Sequence, residues 1–448
     1  MLQFGYTLLL RMALPGVLLR LWWKGRADPA LRVDLGERLA RRRPLRRSAL
    51  PPVWIHAVSV GEVQAVAGLL RELRERDPQR PLLLTMATAT GHQRARSLYA
   101  AELAATPSRA ALRLRYAPFD LPGAVRRFLQ QEQPCIALIL ETELWPNLLR
   151  ACARAGVPVA LVSARLSERS LRRYRSLAAG LMQRSLQRLA RIVVQGEADA
   201  ARFLALGATP AQVVVGGNLK FDLQLPDDLP QRLAVLRARL PQDRRVWVAG
   251  STHAIEEQHL LEAQRLLLSG SMGAAVLLVI APRHPERFDA VAAEVVRAGL
   301  VLQRHSEAAT VASATQVLLV DTLGDLLAWY GCAEVAFVGG SLVPVGGHNL
   351  LEPAALGVPL LSGPAQFNSP DAARLLAACG ALQTVPDAGA IADAVLAVFA
   401  EPSEASRRGA AGKAALLANR GAAQRSLSLL EPLLPAVGKS GAADSTVV

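Results

Sequence analysis

From residue 53 onward, short runs of apolar and β-branched residues alternate with longer stretches whose apolar positions recur at helical spacing. In the first half the runs fall at 53–59, 82–88, 112–117, 135–140, 157–163, 192–195 and 213–215. All are short and most are almost wholly apolar, which predicts strands covered on both faces. The helix-like segments between most of them complete the βαβα pattern of a parallel sheet. The alternation pauses over 225–245, a polar, Pro-containing segment, and restarts with runs at 246–249, 276–281, 317–320, 335–338 and 358–361. The expected fold is α/β: two doubly wound, Rossmann-like domains facing a central cleft. The expected division is a helix over 1–24, a first domain over 25–221, a second over 222–435 and a disordered tail over 436–448, which is small and polar.

The chain ahead of this pattern is different. Residues 2–23 are largely apolar, interrupted mainly by Arg11, Pro15 and Arg20, and are long enough to cross ~30 Å of hydrocarbon as a helix. They predict a membrane-associated N-terminal helix. Arg11 near the middle is costly in a full span, so an interfacial helix with Trp22 and Trp23 at headgroup level competes with one that crosses. The run lacks the basic start and small-residue cleavage site of a signal peptide.

Charge sharpens this picture. Over the 448 residues, Lys+Arg number 51 against 37 Asp+Glu, a net charge of +14. Eleven of those cations and only three acids lie in residues 1–50, and the cluster from Lys24 to Arg47 places that side of the helix in the cytoplasm, against anionic lipid. Nucleic acid is a poor alternative partner, because aromatic residues make up only 4% and do not interleave with the basic ones. Cys135, Cys152, Cys332 and Cys379 are widely spaced and form neither a zinc motif nor a disulfide framework, which fits a reducing compartment.

The candidate chemistry sits where runs end and helices begin. Glu62 follows the first strand, and either points at a ligand beyond the strand's carboxyl end or merely complements the next helix dipole. Glu141-Thr142-Glu143-Leu144-Trp145-Pro146-Asn147 follows the fourth strand and fits acid–base chemistry, a metal site or an ordinary capped helix start. Lys220, in Gly217–Asp222, is placed either to reach an anion or simply to face solvent. In the second half, Gly250-Ser251-Thr252-His253 leaves backbone N–H groups free for a phosphate. Arg283, between Pro282 and Pro285, can grip an acidic ligand or serve a surface turn. The densest signal is Gly339-Gly340-Ser341 with Gly346-Gly347-His348-Asn349-Leu350-Leu351-Glu352-Pro353. Its paired glycines allow close backbone approach, and a helix starting near Asn349 aims its dipole at an anion while Glu352 takes ribose hydroxyls. There is no GxGxxG, no Walker motif outside a defective match in the tail, and no DxD.

Taken together, His56–Glu62, the ETELWPN segment, Asn218–Asp222, Pro282–Phe288 and GGHNLLEP resemble, in order and spacing, the 3-deoxy-D-manno-octulosonic acid (Kdo) transferases of lipopolysaccharide synthesis. The resemblance implies a GT-B fold, N-terminal attachment to the cytoplasmic face of the inner membrane, and transfer of Kdo from CMP-Kdo to a lipid A precursor without a metal or other cofactor. By the same resemblance Glu62 is the proton acceptor, with Glu141 and Lys220 supporting the transition state. It assigns the CMP contacts to Pro282, Arg283, the turn Leu323-Gly324-Asp325, and Asn349, Leu350, Leu351 and Glu352. Asp325 departs from the expected Glu, which puts weight on the backbone of that turn. The rival class is a two-domain sugar-nucleotide epimerase or hydrolase, since fold alone does not choose among these reactions.

Overall fold

A computed structural model describes residues 2–26, 35–41, 50–104, 111–241, 243–270, 275–307 and 309–436. Arg32, Arg42, Arg43, Arg46 and Arg47 of the basic cluster, and tail residues 437–448, lie outside the described residues. The chain forms two compact units, Met1–Asp222 with Gly421–Val448, and Leu223–Arg420.

In the first unit β1 (Val53–His56), β2 (Leu82–Met86), β3 (Leu112–Tyr116), β4 (Ile136–Leu140), β5 (Val159–Ala164), β6 (Arg191–Val194) and β7 (Val213–Val215) form one parallel sheet in the order β3-β2-β1-β4-β5-β6-β7. Successive side chains alternate between two cores. Trp54, Leu83, Ala137, Ile139 and Leu161 enter one, and Ile55, Leu84, Leu138, Leu140 and Ala160 enter the other. That is the period-2 geometry of a strand, and because both faces are covered the strands read as unbroken apolar runs.

The second unit repeats the plan with β8 (Arg245–Thr252), β9 (Val276–Pro282), β10 (Leu302–Arg304), β11 (Val317–Leu319), β12 (Val335–Val338), β13 (Leu360–Ser362) and β14 (Leu382–Thr384), ordered β10-β11-β9-β8-β12-β13-β14. The architecture is thus the expected pair of doubly wound units. β10 and β14 were not foreseen, because each is a three-residue edge strand (Leu-Gln-Arg and Leu-Gln-Thr), and an edge needs no continuous apolar run.

One segment departs from the division drawn from chain order, which placed everything from 222 to 435 in the second domain. The helix Ala422–Leu430 returns to the first unit, where Ala422, Ala423, Leu427 and Leu430 pack in the same core as Ile55 and Val63. Asp222 secures its start, accepting from the N–H groups of Gly421 (2.6 Å), Ala422 (3.2 Å) and Ala423 (2.6 Å).

The N-terminal helix Leu2–Lys24 is long and apolar enough to cross a membrane. Phe4, Leu8, Leu9, Met12, Leu19, Trp22 and Trp23 are exposed on it. Its first two turns are nonetheless docked by polar bonds. Gln3 Nε2 donates to Pro146 O (2.9 Å), Tyr6 OH to Asp120 Oδ2 (2.8 Å) and Thr7 Oγ1 to Asn147 Oδ1 (3.0 Å).

Candidate active site

Strand order reverses between β1 and β4 in the first sheet and between β8 and β12 in the second. In open α/β sheets the connections leave a crevice at such a point, beyond the carboxyl ends of the strands. The candidate residues of each unit collect there.

In the first unit β1 ends at His56 and Ser59 caps the helix Val60–Ala65. The carboxylate of Glu62 folds back over this turn, accepting from Val58 N (2.8 Å) and Ser59 Oγ (2.9 Å). It is only 7% exposed. Burial, with the charges of Glu141 and Glu143 added, outweighs these two hydrogen bonds and pushes its pKa up to about 7. Glu62 thus combines burial with a raised pKa, the combination that suits a group exchanging protons near neutrality.

Glu141 follows β4, the neighbour of β1, and has a φ of +52°, a left-handed conformation that a non-glycine side chain rarely adopts. Its Oε1 receives Lys220 Nζ at 2.8 Å. Lys220 lies between Leu219 and Phe221, both buried, in the short 3-10 turn Leu219–Asp222. Those two anchors leave the lysine to face the carboxylate. The turn is held by Ser163 Oγ accepting from Leu219 N (3.3 Å) and by Asn218, which accepts from Lys220 N (3.0 Å) and donates to Gln195 Oε1 (3.0 Å). Ser163 and Gln195 end β5 and lie just past β6; their part was not apparent in the sequence, because only the strand order places them beside residue 220.

The remaining acids of ETELWPN have separate duties. Glu143 accepts from Trp145 Nε1 at 2.7 Å, and burial raises its pKa. Neither glutamate caps the helix Pro146–Arg154. Asp120 does so, accepting from Asn147 N (3.1 Å) and Leu148 N (2.6 Å). Beneath them His56 is buried, with Nδ1 2.9 Å from Thr85 Oγ1, and burial lowers its pKa to about 4, so it is neutral at physiological pH.

In the second unit Pro282 ends β9 and is buried, and Arg283 beside it is exposed. Among the described residues no side-chain partner engages its guanidinium, which is left for a ligand. Leu323, Gly324 and Asp325 follow β11. Gly324 has a φ of +95°. Asp325 is already engaged by Thr322 Oγ1 (2.6 Å) and Arg232 Nη2 (3.1 Å), and Arg232 also donates to Gly324 O (2.6 Å). The turn is thus braced from within. Leu350 and Leu351 are buried, so only their backbones can meet a ligand. Asn349 donates to Glu352 Oε1 (3.0 Å) and accepts from Leu351 N (3.1 Å). The helix expected near Asn349 begins at Leu351 and runs five residues only, to Ala355, so its dipole is slight.

The glycine-rich loop is positioned by Glu256, whose role the sequence did not reveal. Its fully buried carboxylate accepts from the N–H groups of Gly340 (2.7 Å), Ser341 (2.9 Å), Leu342 (2.9 Å) and His253 (3.2 Å). Gly340 is at φ +71° and a Cβ there would lie 2.8 Å from the ring of His348, so glycine is required. His348 faces His253 with Nε2 atoms 2.7 Å apart. Burial, with His253, Arg283 and His284 nearby, lowers the pKa of His348 to about 4. His348 is therefore neutral in this contact, which forms because β8 and β12 are adjacent.

Comparison with known proteins accords with this geometry. A family model for "3-Deoxy-D-manno-octulosonic-acid transferase (kdotransferase)" matches residues 33–223. The chain is 36% identical to the 3-deoxy-D-manno-octulosonic acid transferase of Haemophilus influenzae over 97% of its own length and 99% of the relative's. It is 39% identical to that of Bordetella pertussis, over 96% and 99% respectively. Among solved structures, the UDP-GlcNAc 2-epimerase of Neisseria meningitidis bound to UDP-GlcNAc covers 85% of this chain and all of its own, at 14% identity and a TM-score of 0.58, a likeness of fold alone.

Proposed function

The chain belongs to the Kdo transferase family, the glycosyltransferases that add Kdo in lipopolysaccharide biosynthesis, and from that premise we propose that it transfers Kdo from CMP-Kdo to the lipid A precursor lipid IVA by a single inverting displacement. The acceptor contributes a primary glucosamine hydroxyl. Glu62 takes its proton as the oxygen attacks the anomeric carbon of Kdo, the new C–O bond forming as the bond to the CMP phosphate breaks. A base with a pKa of about 7 is ionised for a useful fraction of the time and still basic enough to accept the proton. The observation that carries the reading is the buried carboxylate of Glu62 folded over the turn beyond β1.

Lys220, held by Glu141, stabilises negative charge developing in the transition state. In the second unit Arg283 and the backbone of Leu323–Asp325 and Asn349–Glu352 hold the nucleotide, and Pro282 shapes its bed. The leaving charge is met by these groups, so the reaction proceeds without a metal. The N-terminal helix keeps the chain at the cytoplasmic face of the inner membrane, where its lipid acceptor lies. Epimerases share the fold, but family membership at 36–39% identity over nearly the whole chain favours transfer.

The test is transfer by the purified chain to detergent-solubilised tetraacylated lipid A precursor, with CMP-Kdo generated in situ and EDTA present, read by mass spectrometry of the lipid. A gain of one or more Kdo masses is expected. An unchanged lipid mass with intact donor and folded protein overturns the proposal.

A further inference from the structure

The N-terminal helix carries an arginine where an apolar segment should not. Gln3, Thr7 and Arg11 are spaced by four, so they share one face, and Gln3 and Thr7 already bind the body of the first unit. Arg11, although exposed like Leu8, Leu9 and Met12, continues that face. It lines a groove of about 760 Å³ between this helix and the helices Pro122–Glu132 and Pro146–Arg154. Arg126, Arg150 and Arg154 line the same groove over an apolar floor that includes Leu129 and Val157, and among the described residues no acid contributes to it. Glu62, Glu141 and Lys220 are not among its walls.

Neighbouring groups make the cationic character stronger. Arg188, whose Nη2 donates to Gln3 Oε1 (3.2 Å), leaves Nη1 buried with no hydrogen-bond partner among the described residues. Burial and then the charges of Arg150, Arg184 and Arg154 lower its pKa. The nearest acids along the chain are committed elsewhere: Asp120 to Tyr6 and the helix cap, Glu132 to Arg113 and Arg115. Guanidinium groups gathered without counter-charge repel one another unless an anion joins them, and arginine suits phosphate oxygens in particular.

We propose that this groove binds the phosphate headgroup of a lipid in the membrane that receives the N-terminal helix. The helix delivers Arg11 to the groove while its opposite face lies among acyl chains, so a headgroup at that depth meets four arginines at once. The apolar floor below them suits the hydrocarbon that adjoins a lipid headgroup. The inference rests on the membrane role of the helix proposed above, but not on the transfer reaction. Two lipids present this chemistry, a bystander anionic phospholipid and the phosphorylated acceptor itself.

The full chain and a triple variant, Arg126→Gln with Arg150→Gln and Arg154→Gln, would be sedimented with vesicles of phosphatidylcholine alone and with added phosphatidylglycerol. A charge-matched control carries Arg169→Gln, Arg172→Gln and Arg175→Gln on the exposed helix Glu168–Leu177. Thermal melts establish that all three fold. Removal of the groove arginines should weaken binding to the anionic vesicles about fivefold per residue, with the control much less affected. In neutral detergent micelles, a raised acceptor KM for the triple variant would identify the bound phosphate as the acceptor's. An unchanged KM with lost vesicle binding would identify a bystander lipid. Equal losses for the triple variant and the control, together with an unchanged KM, would overturn the proposal. The vesicle measurement reads the groove even if no Kdo is transferred.

Discussion

Glu62 illustrates how one buried carboxylate serves chemistry and strains stability together. With a pKa near 7, it must lose its proton to act as a base, so transfer should rise about tenfold per pH unit on the acid side and level off above neutrality. Glu62→Gln should lower turnover by about 10²–10⁴ while CMP binding, measured by calorimetry, is retained; near-normal turnover would exclude the base role. Its neighbours tune it in opposite directions. The charge of Glu141 raises the pKa of Glu62, so Glu141→Gln should move the acid limb of the rate profile to lower pH. Lys220→Ala leaves that charge unpaired and should move the limb upward, besides lowering kcat more than it raises KM. Stability follows the reverse sign. A carboxyl raised from 4.5 to about 7 in the fold contributes fully below its unfolded value, and that contribution is lost as pH rises through 7, about 3 kcal/mol in all. Glu62→Gln should therefore raise the melting temperature relative to the parent more at pH 8 than at pH 5. Equal differences at the two pH values would show that burial does not shift this group.

Helices and loops in this chain are held by carboxylates that gather backbone N–H groups. Asp222 caps the helix Ala422–Leu430 through three N–H groups, and Asp222→Ala should cost about 2 kcal/mol of local stability. Hydrogen exchange reads this directly: the amides of that helix should lose about 30-fold in protection, and unaltered protection would mean the cap is dispensable. Glu256 plays the same part for the Gly339–Leu342 loop, gathering four N–H groups in a buried site. Glu256→Ala should raise the KM for CMP-Kdo by about tenfold, the equivalent of one charged hydrogen bond, with a smaller change in kcat. A fall confined to kcat would place Glu256 in the reaction rather than beneath it. The glutamates of ETELWPN show why such assignments escape a reading of local pattern. Two acids just ahead of Pro146 look like a capped helix start, yet the cap comes from Asp120, across the sheet connection.

At the scale of the whole chain the two units differ in continuity. Leu223–Arg420 is one stretch, whereas the first unit needs Gly421 onward to complete its core. A fragment of residues 223–420 should fold alone and bind CMP, while residues 1–222 should melt lower than the same unit in the full chain, because Ile55, Val63 and their neighbours lose the apolar face of the last helix. Equal melting of residues 1–222 and the intact unit would show that the returning helix adds nothing. Much of this architecture is legible in the chain itself. Strands buried on both faces mostly read as continuous apolar runs, so twelve of the fourteen strands among the described residues announce themselves, and Glu62, Glu141, Lys220, Arg283 and the GGHNLLEP loop stand out because each follows such a run. Length and hydropathy likewise mark the N-terminal helix. Strand order is another matter, since hydrogen bonding between strands leaves no trace in local periodicity. Only the fold sets β1 beside β4 and β8 beside β12, and so lets the charge of Glu141 reach Glu62 and pairs His253 with His348; only the fold, too, brings the Lys220 turn beyond β7 to Glu141. Only the fold brings Arg11 to its groove and the last helix to the first unit, because these depend on which distant surfaces meet.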